Sequence, residues 1–304
     1  MSREITTEEQ FRSLMEEVDR ELRDQKVPIT ARDLKAISII RRHLQIVGEI
    51  NLSHLPDQPK SGSYAGQDLI ARALQWMKDR YGKRMNIPMP GQTMVVIRGD
   101  PYKVRLPHAL GSINLICDPS SFGEARPMFG QFAPPTLNIL DMVEGLTANL
   151  TQSLVQSEVE DILSDTAPAV RYVMILVTMK SGPMREQANN DIISSVDDVL
   201  RIPPDFGGSR WHSLQAAEKF LKSLLTLHGI PYPTKGSKGH DPTHLAGLGH
   251  SLVPIEQALL DNVKCSAAVR YNEVPSTLLN AHRAHRSAIC ICEKIARHIR
   301  QKFG

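Results

Sequence analysis

The sequence predicts an α+β protein that is mainly helical, with an N-terminal α+β domain over about residues 1–186 and a C-terminal four-helix bundle over about 187–304. Three observations predict it. Short β-prone runs, TMVVIR, YKVRLP and INLICD, cluster between residues 93 and 118, with helical patterns on either side. From about residue 187 onward the periodic segments are all helical. Between the two, KSGPMREQ carries a Gly-Pro pair and places the domain boundary near 181–187.

In chain order, residues 6–50 read as two helices, the first with Thr6 or Thr7 as N-cap ahead of Glu8 and Glu9. Residues 51–65 are punctuated by Pro, Gly and Ser and read as a loop, and GQDLIARALQWMKDRYG follows as a third helix. GDP between TMVVIR and YKVRLP is a hairpin signal. FGEARPMFGQFAPP, with three prolines and two glycines, reads as a loop. A long amphipathic helix is expected over 136–165, because Leu140, Val143, Leu146, Leu150, Leu154 and Val155 keep to one face. RYVMILVTM, residues 171–179, is a continuous apolar run with β-branched residues and reads as a buried strand. Four helices close the chain, over 187–202, 211–229, 251–265 and 275–303, and their short connections favour an antiparallel bundle.

Composition narrows the class. The chain is 41% hydrophobic and 23% charged and has no apolar run long enough to span a bilayer, so a soluble protein without a membrane partner is expected. An acidic, amphipathic N-terminus argues against a secretory leader or a transit peptide, which makes the cytoplasm the expected location. Four cysteines do not make a disulfide framework, and Cys290 and Cys292 would point about 200° apart on a helix. No metal and no cofactor are expected. A net charge of +3 permits an anionic ligand without requiring nucleic acid.

The segment WHSLQAAEKFLKSLL carries two stripes. Trp211, Leu214, Ala217, Leu221, Leu224 and Leu225 form an apolar face. His212, Gln215, Lys219 and Lys222 recur at helical spacing on the other side, either as a solvated face or as the lining of a site. Three segments in order carry a resemblance. RWHSLQAAEKFLKSLLTLHGIPYP, THLAGLGHSL (243–252) and VRYNEVPS (269–276) resemble the second helix, the Thr-His-x-Leu-x-x-Leu segment and the Arg-Tyr-Pro turn of the HEPN (higher eukaryotes and prokaryotes nucleotide-binding) family, with Asn272 in place of the usual proline. The resemblance covers about 187–304 and implies a four-helix bundle that forms a homodimer.

Many HEPN proteins are metal-independent ribonucleases with an Arg-x4-6-His pair, in which Arg stabilises phosphate charge and His moves protons. No Arg in this chain has a His at that spacing. The nearest substitute is NAHRAHR, with His282, Arg283, His285 and Arg286, whose order is reversed and whose bland reading is a solvated basic face. The resemblance therefore implies a non-catalytic protein that binds a nucleotide, RNA or a partner such as a nucleotidyltransferase or an antitoxin. Expected ligand residues are Arg210, His212, Lys219, Lys222, Lys235, Lys238, His244, Arg270 and Tyr271. The alternatives are a toxin- or defence-type ribonuclease using the NAHRAHR residues, and a structural adaptor.

Two other motifs come to nothing chemically. The glycine-rich PTKGSKGHDPTH lacks the order of a phosphate-binding P-loop. GSINLICD has Asp118 but no second carboxylate, so DPSS reads as a turn.

Overall fold

A computed structural model describes residues 4–46, 55–56, 59–85, 91–107, 112–124, 134, 136–179, 182–271 and 273–303. The expected glycine of GSINLICD (Gly111), most of the 122–135 loop, part of the 51–65 loop, and Asn272 lie outside these residues. The N-terminal half is mixed α and β, and the C-terminal part is mainly helical.

The chain divides into two compact units, residues 1–88 and 89–304. The first contains helices α1 (Glu8–Asp24), α2 (Arg32–Leu44) and α3 (Gly66–Tyr81). Thr7 starts α1 as expected: its hydroxyl accepts from the Gln10 amide, and the Gln10 side chain accepts from the Thr7 backbone N–H. Phe11, Leu14, Met15, Val18 and Leu22 of α1 pack with Ile37 and Ile40 of α2 and Leu69, Ile70 and Met77 of α3. Asp19 is fully buried among the guanidinium groups of Arg23, Arg32 and Arg80 and accepts a hydrogen bond from Tyr81. The guanidinium charges around it offset the burial of the carboxylate, although Oδ2 accepts no hydrogen bond among the described residues.

The second unit begins with a hairpin of β1 (Gly91–Ile97) and β2 (Asp100–Leu106), paired antiparallel from Gly91 opposite Leu106 to Ile97 opposite Asp100. Its two turn residues, Arg98 and Gly99, both have positive φ, the backbone that a two-residue hairpin requires. Strands β3 (Asn114–Ile116) and β4 (Thr136–Asn138) pair in parallel.

The expected helix over 136–165 is not continuous. β4 passes into a 3₁₀ turn at Ile139–Met142, then α4 (Ala148–Gln152), then α5 (Gln156–Thr178). Asn138 diverts the chain, because its side chain accepts from the Leu140 amide and donates to the Asp118 carbonyl. Gly145 at φ +77° and the Thr147 cap then restart it. The expected strand at 171–179 is the second half of α5, with Pro168 inside the helix. A short apolar run fits a buried helix as well as a buried strand. Here Ala169, Val170, Tyr172, Val173 and Ile175 are all buried in the main core.

That core explains why no division falls near 181–187. It joins Val95, Ile97 and Val104 of the hairpin and the α5 residues to α6 (Pro183–Leu200), α7 (Phe206–Leu227) and α11 (Leu278–Phe303). α7 starts five residues before Trp211, capped by the Asp205 carboxylate on the Gly208 amide. The expected 251–265 helix shortens to α9 (Gln257–Val263), preceded by α8 (Pro242–Leu248) and followed by α10 (Ala267–Arg270). The last helix opens at Thr277, not at Pro275–Ser276, through reciprocal bonds between Thr277 and Asn280.

Contacts fix the helix directions. Asp191 faces Lys219 and Asp198 faces His212, so α6 and α7 are antiparallel. Arg210 meets Ser276 and His228 meets His298, so α7 and α11 run the same way. Glu256 meets Lys294 and Asn262 meets Ser287, so the α9 segment returns against α11. α5 lies along α11 in the same direction, with Asp165 beside Arg286 and Arg171 beside Glu293.

Candidate functional site

On the polar stripe of α7, His212 and Lys219 face carboxylates of a second helix. Asp191 and Asp198 lie seven residues apart on α6, two turns along one face. His212 and Lys219 have the same spacing on α7. Lys219 Nζ sits 2.5 Å from Asp191 Oδ2, and His212 Nδ1 sits 2.8 Å from Asp198 Oδ2. Burial raises the Asp191 carboxyl above its ordinary range, while the Lys219 ammonium opposes that rise. Gly208 belongs to the same seam: a Cβ there would come within 2.7 Å of the Asp205 and 2.8 Å of the Asp198 carboxylate oxygens.

Glu218, buried on α7, gathers the next layer. It accepts from Lys222 Nζ at 2.6 Å and lies 3.1 Å from His240 Nδ1. His240 brings the glycine-rich loop down onto α7. Gly239 allows the loop to fold on itself, since a Cβ there would meet the Pro233 carbonyl oxygen at 2.6 Å. Lys235 and Lys238 project from this loop into solvent. His244 is half-buried on α8, but the cap of that helix is Asp241, whose carboxylate accepts from the Thr243 amide.

Arg210 is committed to structure, with Nη1 donating to Ser276 Oγ and Nη2 to the Lys264 carbonyl, both at 3.0 Å. Trp211 is half-buried rather than buried, and Arg270 lies over its ring at 4.6 Å. Arg270 also lies 5.3 Å from the ring of the exposed Tyr271. Among the expected ligand residues, His212 and Lys219 share the α6–α7 seam, and Lys222 pairs with Glu218. A cavity of about 200 Å³ in this unit is lined by others, including Leu176, Met179, Arg185 and Asn189.

The NAHRAHR residues separate into three environments. His285 is 1% exposed and bridges Ser195 and Thr93, with Nδ1 2.7 Å from Ser195 Oγ and Nε2 2.9 Å from Thr93 Oγ1. Burial pushes its pKa down to about 3, so it is neutral and out of reach of a substrate. Arg283 is exposed. His282 and Arg286 meet at Asp165 of α5: His282 Nε2 lies 2.9 Å from Oδ2, off the line of a hydrogen bond, and Arg286 Nη1 lies 3.2 Å from Oδ1. Arg286 Nη2 also donates to Ser164 Oγ at 2.7 Å.

The sequence shows the cations and, at i, i+4 spacing, the Glu218–Lys222 pair, but not the carboxylates of other helices, Asp165, Asp191 and Asp198. Matched seven-residue spacings on consecutive helices were the available signal. Asp118 does form the expected turn, with Ser120 and Ser121 donating to it. All four cysteines are free, with Cys292 buried and Cys290 half-buried. Among the described residues no helix is long and apolar enough to cross a membrane. Comparison of the chain with family models, curated proteins and solved structures returned no match.

Proposed function

We propose that this is a non-catalytic binding protein whose C-terminal unit is a HEPN-type bundle, and that its ligand is RNA held along α11. The observation that carries this reading is the charge of α11. Arg283, Arg286, Lys294, Arg297, Arg300 and Lys302 stand against a single carboxylate, Glu293, which is buried. Arg286, Lys294 and Arg297 each touch one carboxylate, and Arg283, Arg300 and Lys302 are exposed. A helix presenting guanidinium and ammonium groups over several turns suits a phosphate backbone, and such contacts are sensitive to salt. Lys219 and Lys222 of α7 support the bundle instead, because each is paired with a carboxylate of α6 or α7.

Fluorescence anisotropy with a labelled single-stranded RNA tests the proposal. Binding is expected to weaken as salt rises, and Arg283→Ala with Arg300→Ala should reduce the log–log salt slope by about 1.4, at about 0.7 per lost phosphate contact. Absence of binding at low salt, or an unchanged slope, overturns it and leaves a partner protein, such as a nucleotidyltransferase or an antitoxin, as the ligand. A homodimer is part of the same reading and is checked by light scattering.

One observation favours a catalytic alternative. Asp165 sits against both His282 and Arg286, an acid–base group beside a cation. Metal-free cleavage of mixed RNA that is lost in His282→Ala would support it; cleavage that survives would assign it to a contaminant.

A further inference from the structure

At one end of the second unit, α7 and α11 bring two imidazoles into contact. His228 is the C-cap of α7, and His298 lies in the last two turns of α11. Their Nε2 atoms are 3.0 Å apart, and the ring centroids 5.1 Å. The Phe303 ring stands edge-on against His228 at 5.1 Å. Local sequence builds this corner: Gly229, at φ +66°, turns the chain, and the Ile230 amide donates back to the Leu225 carbonyl, which fixes the helix end. Because α7 and α11 run the same way, the negative ends of both helix dipoles lie here, and both favour a cation.

We propose that His228 and His298 are the protein ligands of a binding site for a divalent transition-metal cation of the zinc class, with water completing the coordination. Two neutral imidazoles at this separation share one proton, one nitrogen donating and the other accepting. A tetrahedral zinc ion, bonded at 2.0–2.1 Å, holds two nitrogens about 3.3 Å apart. The rings therefore need to part by only a few tenths of an ångström for the metal to take the proton's place. Imidazole ligands select zinc, copper or nickel over magnesium. The described residues hold no cluster of three His, Cys, Asp or Glu, so the site has two protein ligands and modest affinity.

Titration of the full chain with Zn²⁺, followed by calorimetry and by the ¹⁵N resonances of labelled histidines, tests this. The tightest zinc equivalent should shift the Nε2 signals of His228 and His298, and Mg²⁺ should shift neither. His228→Gln and His298→Gln should each weaken that equivalent at least tenfold; its persistence in both variants overturns the proposal. Lys302→Glu provides a test independent of the fold of those variants. Lys302 is exposed and four residues beyond His298, on the same helix face. Replacing its ammonium with a carboxylate should tighten zinc at least tenfold with an unchanged circular dichroism spectrum, and unchanged affinity counts against the site.

Discussion

Ser195 and His285 are joined by a buried 2.7 Å hydrogen bond whose direction the backbone dictates. Ser195 Oγ gives its proton to the Ile192 carbonyl at 2.8 Å, so it must accept from His285 Nδ1–H. Nε2 is then the acceptor for the Thr93 hydroxyl. One neutral imidazole thereby ties β1, α6 and α11 together, and a residue type that invites a catalytic reading is instead a core fastener.

This fastener predicts acid sensitivity. The folded state holds His285 at a pKa of about 3, whereas an unfolded histidine titrates near 6.5. Between those values the unfolded chain binds the extra proton. The contribution is therefore complete above pH 6.5 and declines as pH falls, by up to about 1.4 kcal/mol per pH unit. Urea unfolding at pH 7.5, 5.5 and 4.5 should show the decline, and His285→Asn should flatten it. At pH 7.5, His285→Ala should cost about 3–5 kcal/mol, since it leaves a cavity and two buried hydroxyls without their partner. A loss below 1 kcal/mol would mean that the network is dispensable.

Asp191 and Lys219 predict the opposite pH dependence. Their side chains are 15% and 24% exposed, so breaking the pair leaves a charge mostly out of water. Lys219→Met should destabilise the protein by about 1–3 kcal/mol at pH 8. In that variant the Asp191 carboxyl, already raised by burial, loses the ammonium that opposes the rise. Stability is then retained at low pH, where Asp191 is protonated, and lost as pH rises through its folded pKa. Thermal melts of Lys219→Met and the parent should converge near pH 4 and diverge by pH 8. Parallel curves would show that the carboxylate finds other support.

The same contrast explains what could be read from the sequence. The hairpin was visible because its signals are local: alternation, β-branched residues and a glycine turn. The α7 stripe was visible because one helix carries it. α5 was hidden because Tyr172–Thr178 is apolar on several faces, which erases the helical period once α6, α11 and the hairpin bury it. With α5 read as a strand and the segment before it as a helix, the expected junction fell inside a continuous core. In the site, the charge on Lys219 is a property of one residue, but its fate depends on the register of a second helix.

Gly91 makes a packing prediction. A Cβ on this residue would clash with Val173 Cγ2, on the buried face of α5. Gly91→Ala should therefore cost about 1–3 kcal/mol through overpacking. Val173→Ala removes the clashing methyl group and should itself cost about 1–3 kcal/mol through the cavity it leaves. The added methyl fills part of that space, so the double variant should be more stable than the sum of the single losses requires. Additive losses in chemical denaturation would show that the hairpin and α5 do not meet as closely at this point.

Glu218 makes the last prediction, concerning the glycine-rich loop. Its carboxylate meets both Lys222 and His240, and through His240 it ties the loop to α7. Lys235 and Lys238 in that loop are exposed and offer trypsin two cleavage points. Glu218→Ala removes the anchor and leaves Lys222 without its i−4 partner, so cleavage after Lys235 and Lys238 should accelerate several-fold under native conditions. Glu218→Gln still offers an acceptor oxygen to His240 and should fall between the parent and the alanine variant. Cleavage must be compared at temperatures well below each variant's melting point, so that local opening is measured and not global unfolding. An alanine variant cut no faster than the parent would mean that the tight fold around Gly239, not the Glu218 contact, holds the loop in place.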